Sequence, residues 1–179
     1  MPLTGPITKP LEGVKVLDLS RVFAGPIAGR TLSDLGADVV KVEPPDGDVT
    51  RLWGHKTAGL STYFTQQNCG KRNVCIDLQA DHGPELVRRL AAQADVVIEN
   101  FRPGVMAKFG LDWTALQRVN PQLIMLSITG FGQDGPESQR AAYASIIHAE
   151  SGILPEGVDG EMALDLDLSA ADVLSGMHG

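Results

Sequence analysis

The stretch Val14-Lys15-Val16-Leu17-Asp18-Leu19-Ser20-Arg21-Val22-Phe23-Ala24-Gly25-Pro26 decides the fold. Its first six residues are a short run rich in valine and leucine, the composition of a buried strand. Ser20 to Pro26 make a turn with a proline where a helix can begin. Ile27 to Leu35 follow with apolar residues at helical spacing, and Gly36 ends that helix as a C′ glycine does. Asp38 to Glu43 are the next strand, broken by Pro44-Pro45-Asp46-Gly47-Asp48.

The alternation continues. Val49 to Arg72 is irregular and glycine-dotted, long for a plain connection, and long loops in compact domains are often functional. Val74 to Leu78 reads as a third strand. Gly83 to Gln93 is a helix with Leu86, Leu90 and Ala94 on one stripe. Asp95 to Glu99 is a fourth strand, Pro103 to Phe109 and Trp113 to Val119 are short helices, and Leu123 to Ile128 is a fifth strand. This order predicts an α/β fold: a Rossmann-like parallel sheet with helices on both faces and right-handed crossovers. Beyond Ile128 come a polar glycine loop (Gly130 to Arg140) and a segment of helical spacing (Ala142 to Gly152). Leu164 to Leu168 alternates leucine with aspartate as a half-buried strand does, and Ser169 opens another helix.

Of the 179 residues, 43% are hydrophobic and 21% charged, the make-up of a single globular domain. A net charge of -7 leaves no basic field for nucleic acid or for an anionic membrane surface. No run approaches the roughly 20 apolar residues of a membrane span. Met1 to Pro10, with Pro2 and Pro6 and no apolar core, does not read as a signal peptide. Cys69 and Cys75 make neither a disulfide framework nor a cysteine zinc site, and the expected compartment is cytoplasmic. The chain closes inside the helix begun at Ser169, as a piece of a longer chain would.

In a doubly wound sheet the first strand-turn-helix is where a nucleotide binds, against backbone N–H groups and the helix N-terminus. This turn lacks the paired glycines of G-x-G-x-x-G, offering only Gly25 and later Gly29. Glu43 is the kind of acid that holds an NAD ribose, but without the glycines no NAD is expected. The Walker phosphate loop is absent. Asp165 and Asp167 share one side of an alternating strand with no further ligands beside them, so no metal is expected.

Six segments carry a further signal. They are Pro10 to Leu19, Ala24-Gly25-Pro26, Leu35-Gly36-Ala37-Asp38-Val39-Val40-Lys41-Val42-Glu43-Pro44, Asn68-Cys69-Gly70-Lys71-Arg72, Ala94 to Gly104, and Ser127-Ile128-Thr129-Gly130-Phe131-Gly132. Their content and order resemble the class III CoA-transferase family, which includes formyl-CoA transferase, carnitine CoA-transferase and the α-methylacyl-CoA racemases. The resemblance implies that residues 1–179 are the N-terminal part of the large, CoA-binding Rossmann-like domain. It further implies a longer chain with a small domain and an interlocked homodimer, acting on acyl-CoA and a small carboxylic acid. It assigns the nucleophile to Asp172, in Ala171-Asp172-Val173, and an active-site position to Tyr143. CoA contacts fall to Val22, Ala24, Ile76, Asn100, Phe101 and Lys108. Pro44 stands where formyl-CoA transferase carries an arginine, with Lys41, Lys71 or Arg72 as the cations to compensate.

The residues support that chemistry by themselves. An aspartate of ordinary pKa, about 4, is ionised at neutral pH and needs no base to activate it. Thioester energy conserved through an acyl-enzyme needs no ATP site. The plainer reading of Asp172 is a capping box, Ser169-Ala170-Ala171-Asp172, with acid favoured in a first helical turn. Where the racemases carry Gly-His-Asp this chain has Ala142-Tyr143-Ala144, which favours acyl transfer. The alternatives are a racemase or epimerase, a non-catalytic CoA-binding module and an NAD-dependent reductase. His148, one turn further on, reads as a structural or solvated histidine.

Overall fold

A computed structural model describes residues 9–153 and 169–179. Five parallel strands form the sheet: β1 (Lys15–Asp18), β2 (Asp38–Glu43), β5 (Arg72–Cys75), β6 (Val96–Glu99) and β7 (Ile124–Ser127). Their order is β5-β2-β1-β6-β7, so the chain winds outward from β1 first to one edge and then to the other. The reversal at β1 leaves a crevice at the carboxyl ends of β1 and β6, where doubly wound sheets bind ligands.

Strand alternation sorts the side chains. Leu17, Leu19, Val42 and Val97 point to one face. There they pack with Val87 and Ala91 of α3 (Gly83–Ala91), Met106 of α4 (Val105–Lys108) and Leu116 of α5 (Trp113–Val119). Val16, Val39 and Ile98 point to the other face, onto Ala28 of α1 (Ala24–Asp34). The predicted Rossmann-like sheet with helices on both faces is therefore present.

Boundaries moved where local signals were weak. Helix α1 begins at Ala24, three residues before the expected Ile27. The third sheet strand is Arg72–Cys75 and not Val74 to Leu78, because its register is set by pairing with β2 through Val40↔Arg72 and Val42↔Val74. The span read as irregular contains a 3₁₀ turn (Val49–Leu52), a two-residue hairpin of β3 (Lys56–Thr57) and β4 (Leu60–Ser61), and helix α2 (Thr62–Asn68). Helix α2 is polar and lacks an apolar stripe, and its start is fixed by the Ser61 hydroxyl accepting the Phe64 N–H. Two further helices, α6 (Ala144–Glu150) and α7 (Ala170–His178), finish the chain, α7 lying along α1. The expected strand at Leu164 to Leu168 falls outside the described residues. No described helix is long and apolar enough to cross a membrane.

The same alternation that builds the core puts charges on the α1 face at the strand ends. Asp18 and Lys41 are register partners there, and both are fully buried. Lys71 Nζ donates to Asp18 Oδ2 at 2.7 Å, to the Pro26 carbonyl at 2.8 Å and to Asn68 Oδ1 at 2.9 Å. Gly29 makes room for this pair: a Cβ on it would meet Asp18 Oδ2 at 2.7 Å. Burial pulls the Lys71 ammonium downward and the Asp18 carboxylate opposes it. Removing one partner of a buried pair costs about 3–5 kcal/mol, against about 0–1 kcal/mol for a surface pair. Asp18→Ala should therefore lower the urea midpoint far more than Asp38→Ala, which breaks the exposed Arg72–Asp38 pair. Equal shifts in the two variants would refute this account of the strand ends.

Candidate active site

The turn after β1 has each of its leading polar backbone groups assigned. The Ser20 N–H donates to Asp18 Oδ1 at 2.9 Å, and the Ser20 hydroxyl donates to the same oxygen. The Ser20 carbonyl accepts from Lys41 Nζ at 2.7 Å. The Arg21 N–H donates to Asn100 Oδ1 at 2.7 Å while Asn100 Nδ2 donates to the Arg21 carbonyl at 2.8 Å. The Val22 N–H donates to Asp48 Oδ2 at 3.2 Å. These clamps hold Val22 at φ +67°, a left-handed conformation unusual for a β-branched residue. Asp48 also accepts from the Thr50 N–H and hydroxyl and lies 3.4 Å from Lys41 Nζ. Burial would raise its carboxyl, but these donors and the Lys41 charge hold it below the ordinary range.

A cleft of about 360 Å³ opens above this turn. Val22 and Ala24 line it from the turn, Asn100 and Phe101 from the loop after β6, and Tyr143, Ala171 and Asp172 from the second half of the chain. Residues about 150 positions apart thus meet across one cavity. Close helix packing brings them together. Gly176 of α7 sits against α1 so tightly that a Cβ would stand 2.5 Å from the Ala24 carbonyl oxygen and 2.5 Å from Ile27 Cγ2. Asp172 lies one helical turn before Gly176 and so shares its face.

Asp172 is partly buried in the first turn of α7. Burial raises its pKa above the ordinary aspartate range, and the nearby His148 opposes the shift. A desolvated carboxylate is a stronger nucleophile than a solvated one, once ionised. The expected capping box is not formed: the Ser169 side chain makes no cap hydrogen bond. The Ala171 N–H instead donates to Nε2 of His148, at 3.1 Å. His148 is 1% exposed, buried between α6 and α7, so it is not solvated. Tyr143 precedes α6 and is largely exposed on the cleft wall.

A second cleft of about 230 Å³ adjoins the first, lined by Leu19, Pro44, Ile76, Phe101 and Phe109. Arg21 lines both cavities, its guanidinium carbon 5.1 Å from the centre of the Phe101 ring. Of the sequence-predicted positions, Val22, Ala24, Asn100, Phe101, Tyr143 and Asp172 gather at the first cleft, and Ile76 at the second. Lys108 ends α4 on the exposed surface and lines neither. The three cations proposed to stand in for an arginine at Pro44 are committed elsewhere: Lys41 to Ser20 and Asp48, Lys71 to Asp18, Arg72 to Asp38. Cations at the cleft come from Arg21, Arg102 and Arg140, which the sequence alone did not single out. Arg140 is paired with Glu137 and Glu150; among the described residues Arg21 and Arg102 have no ion-pair partner. Asp48, missed as a mere strand breaker, and Tyr63, whose hydroxyl is raised by burial and by the charges of Asp172 and Asp48, also belong to this neighbourhood. Among the described residues no cluster of His, Cys, Asp and Glu is suited to a metal.

This sheet, turn and cleft agree with a family model, CoA-transferase family III, which matches residues 11–179. The chain belongs to that family. Succinate–glutarate CoA-transferase of Agrobacterium fabrum is 44% identical over 180 residues, an alignment covering 94% of this chain and 44% of that protein. Human succinyl-CoA:glutarate CoA-transferase is 46% identical over 148 residues, covering 82% of this chain and 34% of that one. A crystal structure of a CAIB/BAIF family protein from Brucella suis superposes with a TM-score of 0.88 at 46% identity, covering 95% of this chain and 47% of that chain. The chain thus spans less than half the length of these family III relatives.

Helix propensity alone would make Gly176→Ala stabilising by about 1 kcal/mol. The α1–α7 contact predicts the opposite: a methyl there displaces α7 and destabilises the protein by about 1–3 kcal/mol. A thermal melt distinguishes the two signs.

Proposed function

We propose that this chain is the N-terminal, CoA-binding part of an enzyme that transfers CoA from an acyl-CoA to a carboxylic acid through Asp172. The observation that carries the reading is a desolvated carboxylate in a helix first turn, facing the strand-β1 turn across one cleft. An Asp172 oxygen attacks the thioester carbonyl, the C–S bond breaks, and a mixed anhydride and CoA thiolate result. The thiolate attacks the aspartyl carbonyl, releasing the donor acid and leaving an enzyme–CoA thioester. The acceptor carboxylate attacks that thioester to form a new anhydride, and the thiolate then takes the acyl group and regenerates Asp172. The Ala24 and Gly25 N–H groups that open α1 are suited to hold the oxyanion; Pro26 has no N–H and Ile27 donates to the Phe23 carbonyl.

The second cleft suits the adenine, with Ile76 and Phe101 as apolar walls. Arg21 and Arg102 are suited to CoA phosphate or to a second carboxylate on the acid. Since two relatives are named for succinate and glutarate, small dicarboxylic acids are the first substrates to test. Val22, Ala24 and Asn100 act by shape, and Tyr143 closes the acyl end. Tyr143 in place of a histidine argues against racemisation. Glu43 argues against a nicotinamide cofactor, because its carboxylate is taken by Arg51, Asn73 and the Asp48 N–H. The enzyme works as a homodimer in the cytoplasm, a compartment compatible with the unpaired Cys69 and Cys75.

Asp172→Asn should reduce transfer by roughly 10³-fold or more. Incubating the full-length protein with acyl-CoA and hydroxylamine should modify Asp172. A variant that keeps wild-type turnover ends the proposal. The raised carboxyl is favoured in its protonated form on folding, so its contribution to stability is present at low pH and lost as pH rises through the folded-state pKa. Asp172→Asn should therefore melt slightly higher than wild type at neutral pH. The same shift moves the acid limb of kcat/KM above that of an ordinary aspartate, and a limb at or below the ordinary range contradicts the burial of Asp172.

A further inference from the structure

We infer that His148 is a positioning residue for Asp172, acting as a side-chain cap on the helix that carries it. The inference rests on the assignment of Asp172 as nucleophile. An α-helix leaves its first N–H groups without partners, and a side-chain acceptor usually satisfies one of them. In α7 the neighbouring Ser169 does not; the acceptor reaches across from α6, where His148 Nε2 lies 3.1 Å from the Ala171 nitrogen. The bond is partly buried and adjoins the reacting residue. It also ties α7 to the helix that begins just after Tyr143, so one ring sets the spacing between two walls of the cleft.

The choice of a histidine has a chemical reason. Nε2 accepts this hydrogen bond through its ring lone pair, and unlike a carboxylate an imidazole brings no negative charge. An acidic cap, aspartate or glutamate, would place a second anion beside Asp172, and neighbouring carboxylates oppose each other's ionisation. An acceptor without negative charge secures the helix start and leaves the field of its N-terminus to the nucleophile. Glutamine shares this property; leucine fills similar volume but cannot accept.

The test compares three His148 variants of the full-length protein, with Asp172→Asn assayed beside them. His148→Leu should lower kcat about tenfold with the KM for acyl-CoA within about twofold, since a lost cap misplaces the nucleophile without touching CoA. His148→Gln should return kcat to within about threefold of wild type, and His148→Glu should remain impaired. Hydrogen exchange in the 170–178 segment should quicken in the leucine variant and recover in the glutamine variant. Equal impairment of the leucine and glutamine variants would show a packing role only and overturn the inference, as would wild-type kcat in the leucine variant. A fully active Asp172→Asn would instead defeat the nucleophile assignment, a result the exchange measurement on the cap does not depend on.

Discussion

Two buried ion pairs at the carboxyl ends of the central strands govern this structure. Asp18 with Lys71 and Lys41 with Asp48 sit beneath the turn that follows β1, each side chain almost wholly removed from water. Four charges in such a place cost several kcal/mol each in desolvation, and Coulomb attraction alone rarely offsets that. What offsets it here is the number of hydrogen bonds each group makes, including those to the Ser20 and Val22 backbone. The charges act as a mould. They hold a valine in a left-handed conformation at the wall of the cleft.

The cleft is assembled from parts of the chain that have no local reason to meet. The strand-β1 turn comes from the start of the sequence and Asp172 from its end. Close approach at Gly176 and the His148–Ala171 bond bring the second to the first. Burial then changes the chemistry of the carboxylate, making it more basic than a solvated aspartate. The same packing that positions the carboxylate thus tunes it.

Charge placement also separates binding from support. Most cations near the carboxyl end of the sheet are structural, spent on Asp18, Asp48 and Glu43. Arg21 and Arg102 remain at the cleft mouth. Neither position was conspicuous in the sequence, because an arginine in a turn has no local mark of its destination. Lys71 and Arg72 show the converse: these adjacent cations were candidates to compensate for the arginine missing at Pro44, yet one points inward to Asp18 and the other sideways to Asp38.

The sequence by itself determined the alternation of strands and helices, because hydrophobic periodicity is local and each strand's two faces are written in adjacent residues. It also determined the family, since six ordered segments carry more information than any one. The edges of β5 and the cap of α7 were decided by tertiary structure alone. Each depends on a partner distant in the chain: β2 for the register of β5, and His148 for the Ala171 N–H. Local propensity cannot register a bond whose acceptor lies 23 residues away on another helix. The perturbed state of Asp172 belongs to the same class, because desolvation is a property of what surrounds a residue and not of its neighbours in sequence.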